Sequence, residues 1–356
     1  MDTEQSQSIA RWAQGVVASI SRKYSQEIPR ISPVFTSKQL VIDVGGSTLR
    51  IAIVESGDPQ YLVIEPLPLK AKQDIIQWLG EKINGLQNKG TIPRTDFSVS
   101  WAFPLIQGQI STMGKQFSSS QYIGKSLQAL LNAQLAHARV KCTVHDACAS
   151  LIANYASYPT CRIALVWGTG FNLAFIDLRA RCIINTEMGM AGAAPFGDPL
   201  DLQPFDTQLR SMVSGDMPFE YMVGGDYLAQ LYDLACGEPI STTMPNQLWV
   251  KVKQKDPRAV FIIERACEYV AWLIACLVQS LLPSSSSQDD LNETHHSLGP
   301  VLVAYSGGVI CEPVILECLS GCIQRIARVN GTIINLFEST SGPEIGAALV
   351  GQSSLA

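Results

Sequence analysis

Residues 39–55 read QLVIDVGGSTLRIAIVE: an apolar run, a Gly45-Gly46 turn followed by Ser47 and Thr48, then a second apolar run. Both runs are rich in β-branched residues and the glycines break them, so the stretch predicts a β-hairpin. The same grammar returns at 162–177, RIALVWGTGFNLAFID, with the glycine turn at 168–170. One glycine hairpin alone reads as a tight turn. Two of them, about 120 residues apart, predict a duplicated architecture. A third apolar run, VLVAYSGGVI at 301–310, ends in its own glycine pair and leads into a predicted helix.

Two halves that each open with a strand, a glycine turn and a strand predict an α/β protein with a cleft between two domains. Glycine turns let backbone N–H groups approach a phosphate with no Cβ in the way, so such turns suit a nucleotide. Around them the spacing predicts an amphipathic lead-in helix over 5–25, with Ile9, Trp12, Val16 and Ile20 on one face. It predicts a helix over 71–87, extended runs around Pro104 and a helix over 120–138 after a serine-rich start. KCTVHD, 141–146, reads as a strand ending at Asp146, with a helix after it. An aspartate there serves as a helix N-cap or as a ligand-facing carboxylate, since α/β folds place sites at strand ends.

The 356 residues suit two domains of ordinary size. With 47% hydrophobic and 16% charged residues, the chain has material for a large core and too little charge for a disordered protein. A net charge of -5 gives no reason to expect nucleic acid or an anionic membrane as partner. The ten cysteines form no CxxC pair. Cys318 and Cys322 lie one helical turn apart with no further ligand nearby in sequence, so buried thiols in a reducing compartment are the better reading than zinc. The N-terminal residues lack the pattern of a secretory signal, and the expectation is a cytoplasmic protein. The longest apolar run, 269–278, is about half of what a bilayer requires, so it predicts a buried helix. SSSSQDDLNETHH, 284–296, reads as a polar surface loop with His295 and His296 solvated.

The ordered blocks DVGGSTLR (43–50), FPLIQ (103–107), MGKQF (113–117), HDACAS (145–150), GTGFN (168–172), INTEMG (184–189), FEYMVGGDYL (219–228), SGG (306–308) and SGPEIGAALV (341–350) resemble the hexokinase family. The likeness runs from about residue 38 to residue 350. Its MGKQF, INTEMG and FEYMVGG variants look like the atypical fungal hexokinase-like and N-acetylglucosamine-kinase-like branch.

The resemblance implies a two-domain actin-like ATPase (ribonuclease H-like) fold with an active-site cleft between domains. It implies a lead-in at 1–37, a small domain at 38–146 and a shortened large domain at 147–356 whose final helix packs back on the small one. It implies ATP and Mg²⁺ as cofactors and a hexose as substrate. Asp43, Gly45, Gly46, Ser47 and Arg50 match the first phosphate segment, Asp43 reaching Mg²⁺ through water. Thr169 and Gly170 match the second phosphate segment, and Gly307 and Gly308 the adenosine segment. Asp146 matches the base that accepts the sugar hydroxyl proton. Lys115, Asn172, Glu187 and Glu220 match sugar-binding positions, and His145 stands where the family has Asn. Ionised carboxylates are pure acceptors and suit a ring of hydroxyls.

Six positions depart from the family pattern: Thr48, Ala102, Gly114, His145, Phe171 and Ser306. Phe171 stands where the family has a small residue, and bulk there is expected to crowd the phosphates. Two readings therefore stand side by side, a hexose 6-phosphotransferase and a catalytically degenerate, sugar-sensing relative.

Overall fold

The computed structural model describes residues 3–20, 24–27, 35, 37–68, 74–111, 120–192, 202–213, 217–240, 242–281, 300–339 and 341–353. Lys115 and Gly114, the MGKQF block and the polar stretch 284–296 lie outside the described residues. Contacts divide the chain into two units. Met1–Ser21, Thr160–Leu173 and Glu187–Glu338 make the first, and Arg22–Pro159, Ala174–Thr186 and Ser339–Ala356 the second. The limits expected at 37 and 146 divide the chain in sequence order, whereas these units group segments by packing.

In the first unit, strand β9 (Cys161–Trp167) pairs in parallel with β12 (Val301–Ser306), which pairs in parallel with β13 (Ile334–Glu338). Strand β10 (Phe171–Asp177) begins in this unit and continues into the second. The helices are α1 (Thr3–Ala18), α5 (Pro204–Met212), α6 (Glu220–Val223), α7 (Gly225–Cys236), α8 (Pro245–Lys253), α9 (Pro257–Leu281) and α10 (Pro313–Asn330). The run 269–278 is buried inside α9 as its composition predicts. Among the described residues, no helix is long and apolar enough to cross a membrane. Ile9, Trp12 and Val16 recur at helical spacing and bury the inner face of α1 against α9. Within the core, Arg265 on α9 grips the Asp206 carboxylate at 2.5 and 2.8 Å, both side chains being buried.

The second unit holds a five-stranded sheet of order β4-β3-β2-β5-β8. Its strands are β2 (Gln39–Val44), β3 (Thr48–Glu55), β4 (Asp58–Pro66), β5 (Phe97–Trp101) and β8 (Val140–His145). The predicted hairpin is present: β2 and β3 pair antiparallel with Asp43 opposite Arg50, and Gly45 N–H donates to Thr48 O at 2.9 Å. As the central strand, β2 is buried throughout, its apolar residues interrupted by Asp43 near its end. A small hairpin, β6 (Leu105–Ile106) and β7 (Gln109–Ile110), turns at Gln107 and Gly108, both with positive φ. Strand β1 (Ser25–Glu27) pairs with β11 (Cys182–Asn185), which also pairs with the end of β10.

Helix α2 (Ile75–Asn88) starts at Asp74, whose carboxylate accepts from the N–H groups of Ile76 and Gln77. Helix α3 (Leu127–Gln134) is much shorter than the predicted 120–138. Gly124 at φ 78 interrupts the chain, and Ser126 then caps a fresh helix by accepting from Ala129 N–H. Helix α4 (Asp146–Ser157) follows β8 directly. The last helix, α11 (Pro343–Ser353), packs on α4, β2 and β5.

Candidate functional site

The first cluster lies in the second unit, where strand ends carry the chemistry. Asp43, next to last in β2, is 1% exposed, and its Oδ2 accepts from Arg50 at 2.9 Å. Its Oδ1 is buried with no hydrogen-bond partner. Burial pushes the Asp43 carboxyl up to about 7; Ser100 and Arg50 pull it down, while the carboxylates of Asp146 and Glu344 push it up. Ser100 lies opposite Asp43 on β5, but its hydroxyl does not complete a well-formed hydrogen bond. At neutral pH this carboxyl is poised between its two forms, and a cation brought to Oδ1 favours the charged one. The Gly45–Thr48 turn is tight, since a Cβ on Gly45 would stand 3.2 Å from Thr48 O.

Asp146 is the first residue of α4, placed by the parallel pairing of β8 with β5. The N-cap is His145, one residue earlier than the sequence suggests. Ala147 N–H lies 3.3 Å from His145 Nδ1 and 2.6 Å from Asp146 Oδ1. His145 Nδ1 is also 3.1 Å from Asp146 Oδ1. One nitrogen cannot do both: it accepts from Ala147 in one tautomer or donates to Asp146 in the other. The imidazole is 2% exposed and Asp146 18%, so the carboxylate is the more accessible of the two.

The second cluster lies in the first unit, around the 168–170 turn. Gly168 N–H donates to Gly170 O at 3.0 Å, closing it. The start of α7 then docks on it, Gly225 N–H reaching Gly168 O at 2.9 Å and Asp226 N–H reaching Thr169 O at 3.1 Å. Gly307 sits at φ 113, and a Cβ there would stand 2.4 Å from Trp167 O. Val309 and Ile310 both donate backbone N–H to that same carbonyl. Thr169, Gly170, Gly307 and Gly308 are thus brought together by glycine-permitted backbone contact.

The acidic residues join this turn. Glu220 Oε2 accepts from Phe171 N–H at 3.0 Å. Asn172 Oδ1 accepts from Met188 N–H at 3.2 Å, next to Glu187. Glu187 is 6% exposed and holds a left-handed backbone, φ 48, a sparsely populated state for a non-glycine residue. Phe219 N–H donates to Gly189 O at 3.1 Å, tying the INTEMG and FEYMVGG segments to each other.

The expected crowding by Phe171 is corrected. Its ring is 3% exposed and stands edge-on to Trp167 and Phe219, at 5.8 and 5.4 Å between centroids. An aromatic at this position fills the core instead of facing a ligand. Phe171→Ala is expected to cost about 3–5 kcal/mol of stability, as core aromatic truncations do, and to bring no gain in nucleotide affinity. Chemical denaturation with Mg-ATP titration checks this; an equally stable variant with tighter Mg-ATP binding would return the ring to the phosphates.

Sequence reasoning passed over Ser100, Tyr61 and Glu344. Tyr61 O–H donates to Glu344 Oε1 at 2.5 Å, and Glu344 is buried in the first turn of α11. Burial and the neighbouring Glu344 carboxylate hold the Tyr61 phenol well above its usual range. The one readable signal was Pro343-Glu344, a helix-start pair. Among the described residues, no group of three or more His, Cys, Asp or Glu side chains is arranged to hold a metal.

A family profile described as Hexokinase matches residues 162–255, the segment that carries the second cluster. Over that segment the chain resembles the hexokinase family. A hexokinase from Schistosoma mansoni is 24% identical over 237 residues, 55% of this chain and 51% of that protein. The chain thus spans about half the length of the curated relatives it matches. The solved Schistosoma mansoni hexokinase complexed with glucose superposes with TM-score 0.74 at 17% identity, covering 98% of this chain and 95% of that one. A ROK family glucokinase from Streptomyces griseus, in complex with glucose and AMPPNP, gives TM-score 0.58 at 15% identity over 90% and 99% of the two chains. The fold is that of the hexokinase and ROK kinases, the actin-like ATPase fold.

Proposed function

We propose that this chain is a hexokinase-type kinase that transfers the γ-phosphoryl group of ATP to the 6-hydroxyl of a hexose such as glucose or N-acetylglucosamine. The observation that carries the reading is the strand-end pair in the second unit: Asp43 near the end of β2 and Asp146 just past the end of β8, on the two strands that flank β5 in parallel.

In this reading Asp146 accepts the proton of the sugar hydroxyl while that oxygen forms its bond to the γ-phosphorus. The bond from the phosphorus to the ADP oxygen breaks, and ADP leaves with that electron pair. Backbone N–H groups of Gly45, Gly46 and Ser47, and of Thr169 and Gly170, hold phosphates, with Arg50 adding positive charge. Gly307 and Gly308 lie beside the adenosine. Asn172, Glu187, Glu220 and His145 bind the sugar, and Lys115 completes the set by its match to the family. The unpartnered Oδ1 of Asp43 fits a water-bridged Mg²⁺, which keeps most of its waters and needs few carboxylates. When bound, Mg²⁺ neutralises charge developing on the phosphates. Ten cysteines, none of them in a disulfide, support a reducing, cytoplasmic setting.

The rival reading, a sugar sensor without turnover, draws on the departures at Thr48 and Ser306; Phe171 no longer supports it. Calorimetry with a panel of hexoses and, separately, Mg-ATP decides between them, because a sensor binds sugar without nucleotide. Sugar is also expected to raise the melting temperature, by about 2.7 kcal/mol of linkage at a hundredfold excess over Kd. Glu187→Ala and Glu220→Ala are expected to abolish that shift. An undiminished shift in both variants would show that the sugar lies elsewhere.

A further inference from the structure

The sugar-segment residue Glu220 opens α6, a helix of four residues. A helix this short has almost no internal hydrogen bonding and cannot hold its own position. Its neighbours must fix it. The Phe219 ring, fully buried, is what they grip: Phe171 stands 5.4 Å away, Tyr269 6.0 Å and Trp12 5.2 Å. Trp12 also meets Tyr269 edge-on at 5.1 Å. The Glu220 carboxylate is held from the other side by Phe171 N–H. Both ends of Glu220 are therefore set by one aromatic cluster. Trp12, on α1, and Tyr269, on α9, come from outside the site segments.

The indole Nε1–H of Trp12 is buried and makes no hydrogen bond. Its polar atom contributes nothing to the local fold, so the ring acts through contact with Phe219 and Tyr269. Helix α1 is fastened at a second point, where Ser6 O–H donates to Glu268 Oε1 at 2.6 Å and Glu268 in turn pairs with Arg325 on α10. That anchor keeps the indole pressed on Phe219.

We propose that Trp12 is a positioning residue for sugar binding: through Phe219 it fixes where the Glu220 carboxylate stands. This rests on the sugar-binding role of Glu220 proposed above. The lead-in helix is then part of the site's framework, and sugar binding depends on a side chain outside the sugar-binding segments.

The test uses the full chain with Trp12→Phe, Trp12→Leu, Trp12→Ala and a control, Ile83→Ala, buried on α2 in the core of the second unit. Glucose and N-acetylglucosamine are the probes for calorimetry, and backbone amide exchange at Phe171 is followed by NMR. Trp12→Leu and Trp12→Ala are expected to weaken sugar binding about tenfold, the equivalent of one misplaced hydrogen bond. Amide exchange at Phe171 is expected to speed up by a similar factor. Trp12→Phe, which keeps a ring and loses no hydrogen bond, is expected to restore both. The control, at matched loss of melting temperature, is expected to leave both unchanged. The proposal is overturned if Phe171 exchange is unchanged in Trp12→Leu, or if the control shows the same losses. Should the parent bind no hexose at all, the functional reading falls, and amide exchange alone decides the positioning. If Trp12→Ala fails to fold, Trp12→Leu and Trp12→Phe carry the comparison.

Discussion

Asp146→Asn is expected to bind sugar within several-fold of the parent and to lose phosphotransfer by about 10²–10⁴, the usual cost of removing a general base. A hydroxyl is a poor nucleophile, and it must lose its proton as the phosphoryl group arrives. Asparagine keeps the size and the hydrogen bonds of aspartate but takes no proton at neutral pH. The rival base is His145, which titrates near neutrality in its free form. The geometry favours Asp146: the imidazole is nearly fully buried as the N-cap of α4, while the carboxylate is partly open. His145→Asn restores the family's residue, and asparagine is itself a good N-cap. It is expected to hold or raise turnover. Steady-state assays of the two variants with sugar calorimetry decide the matter. A dead His145→Asn beside an active Asp146→Asn would mean the base is misassigned.

The second large effect is expected at Gly346. A Cβ built there would stand 1.8 Å from the carbonyl oxygen of Ala149 and 2.5 Å from its carbon, so α11 crosses α4 at backbone contact. Backbone cannot move aside as a flexible side chain can. Gly346→Ala is expected to cost about 3 kcal/mol, the upper end for overpacking in a close-packed core. Gly321, in α10, provides the contrast, because nothing lies within 4 Å of its added Cβ. Gly321→Ala is expected to stabilise by about 0.5–1 kcal/mol through helix propensity alone. Urea unfolding of both variants tests the pair. Equal midpoints would refute the tight crossing.

The two glycine hairpins, the strand ending before Asp146 and the buried helix at 269–278 were all legible in sequence, because each is written in local periodicity and turn chemistry. The overlong helix at 120–138 failed where a glycine in the left-handed region broke the chain inside a helix-compatible composition. The reading of Phe171 failed for a different reason. Which face of a strand a side chain takes depends on neighbours distant in sequence, here Phe219, and no local pattern announces them. The same holds for Ser100, Tyr61 and Glu344: Ser100 meets Asp43 by sheet register, and Tyr61 of β4 meets Glu344 by the docking of α11. The glycines at 225 and 307 were visible as letters, but their role as backbone contact points for Trp167 and Gly168 was not.

The docking of α11 also bears on the order of events during synthesis. Cys142 on β8 and the carbonyl of Ala347 on α11 meet across 205 residues of sequence. The surface of α4 and β5 that receives α11 therefore emerges from the ribosome long before its cover exists. Until residues 343–353 have been made, that apolar face must wait exposed or be shielded by another protein. Closing so long a loop is entropically slow, and the helix that carries Asp146 is among the last parts of the second unit to be sealed.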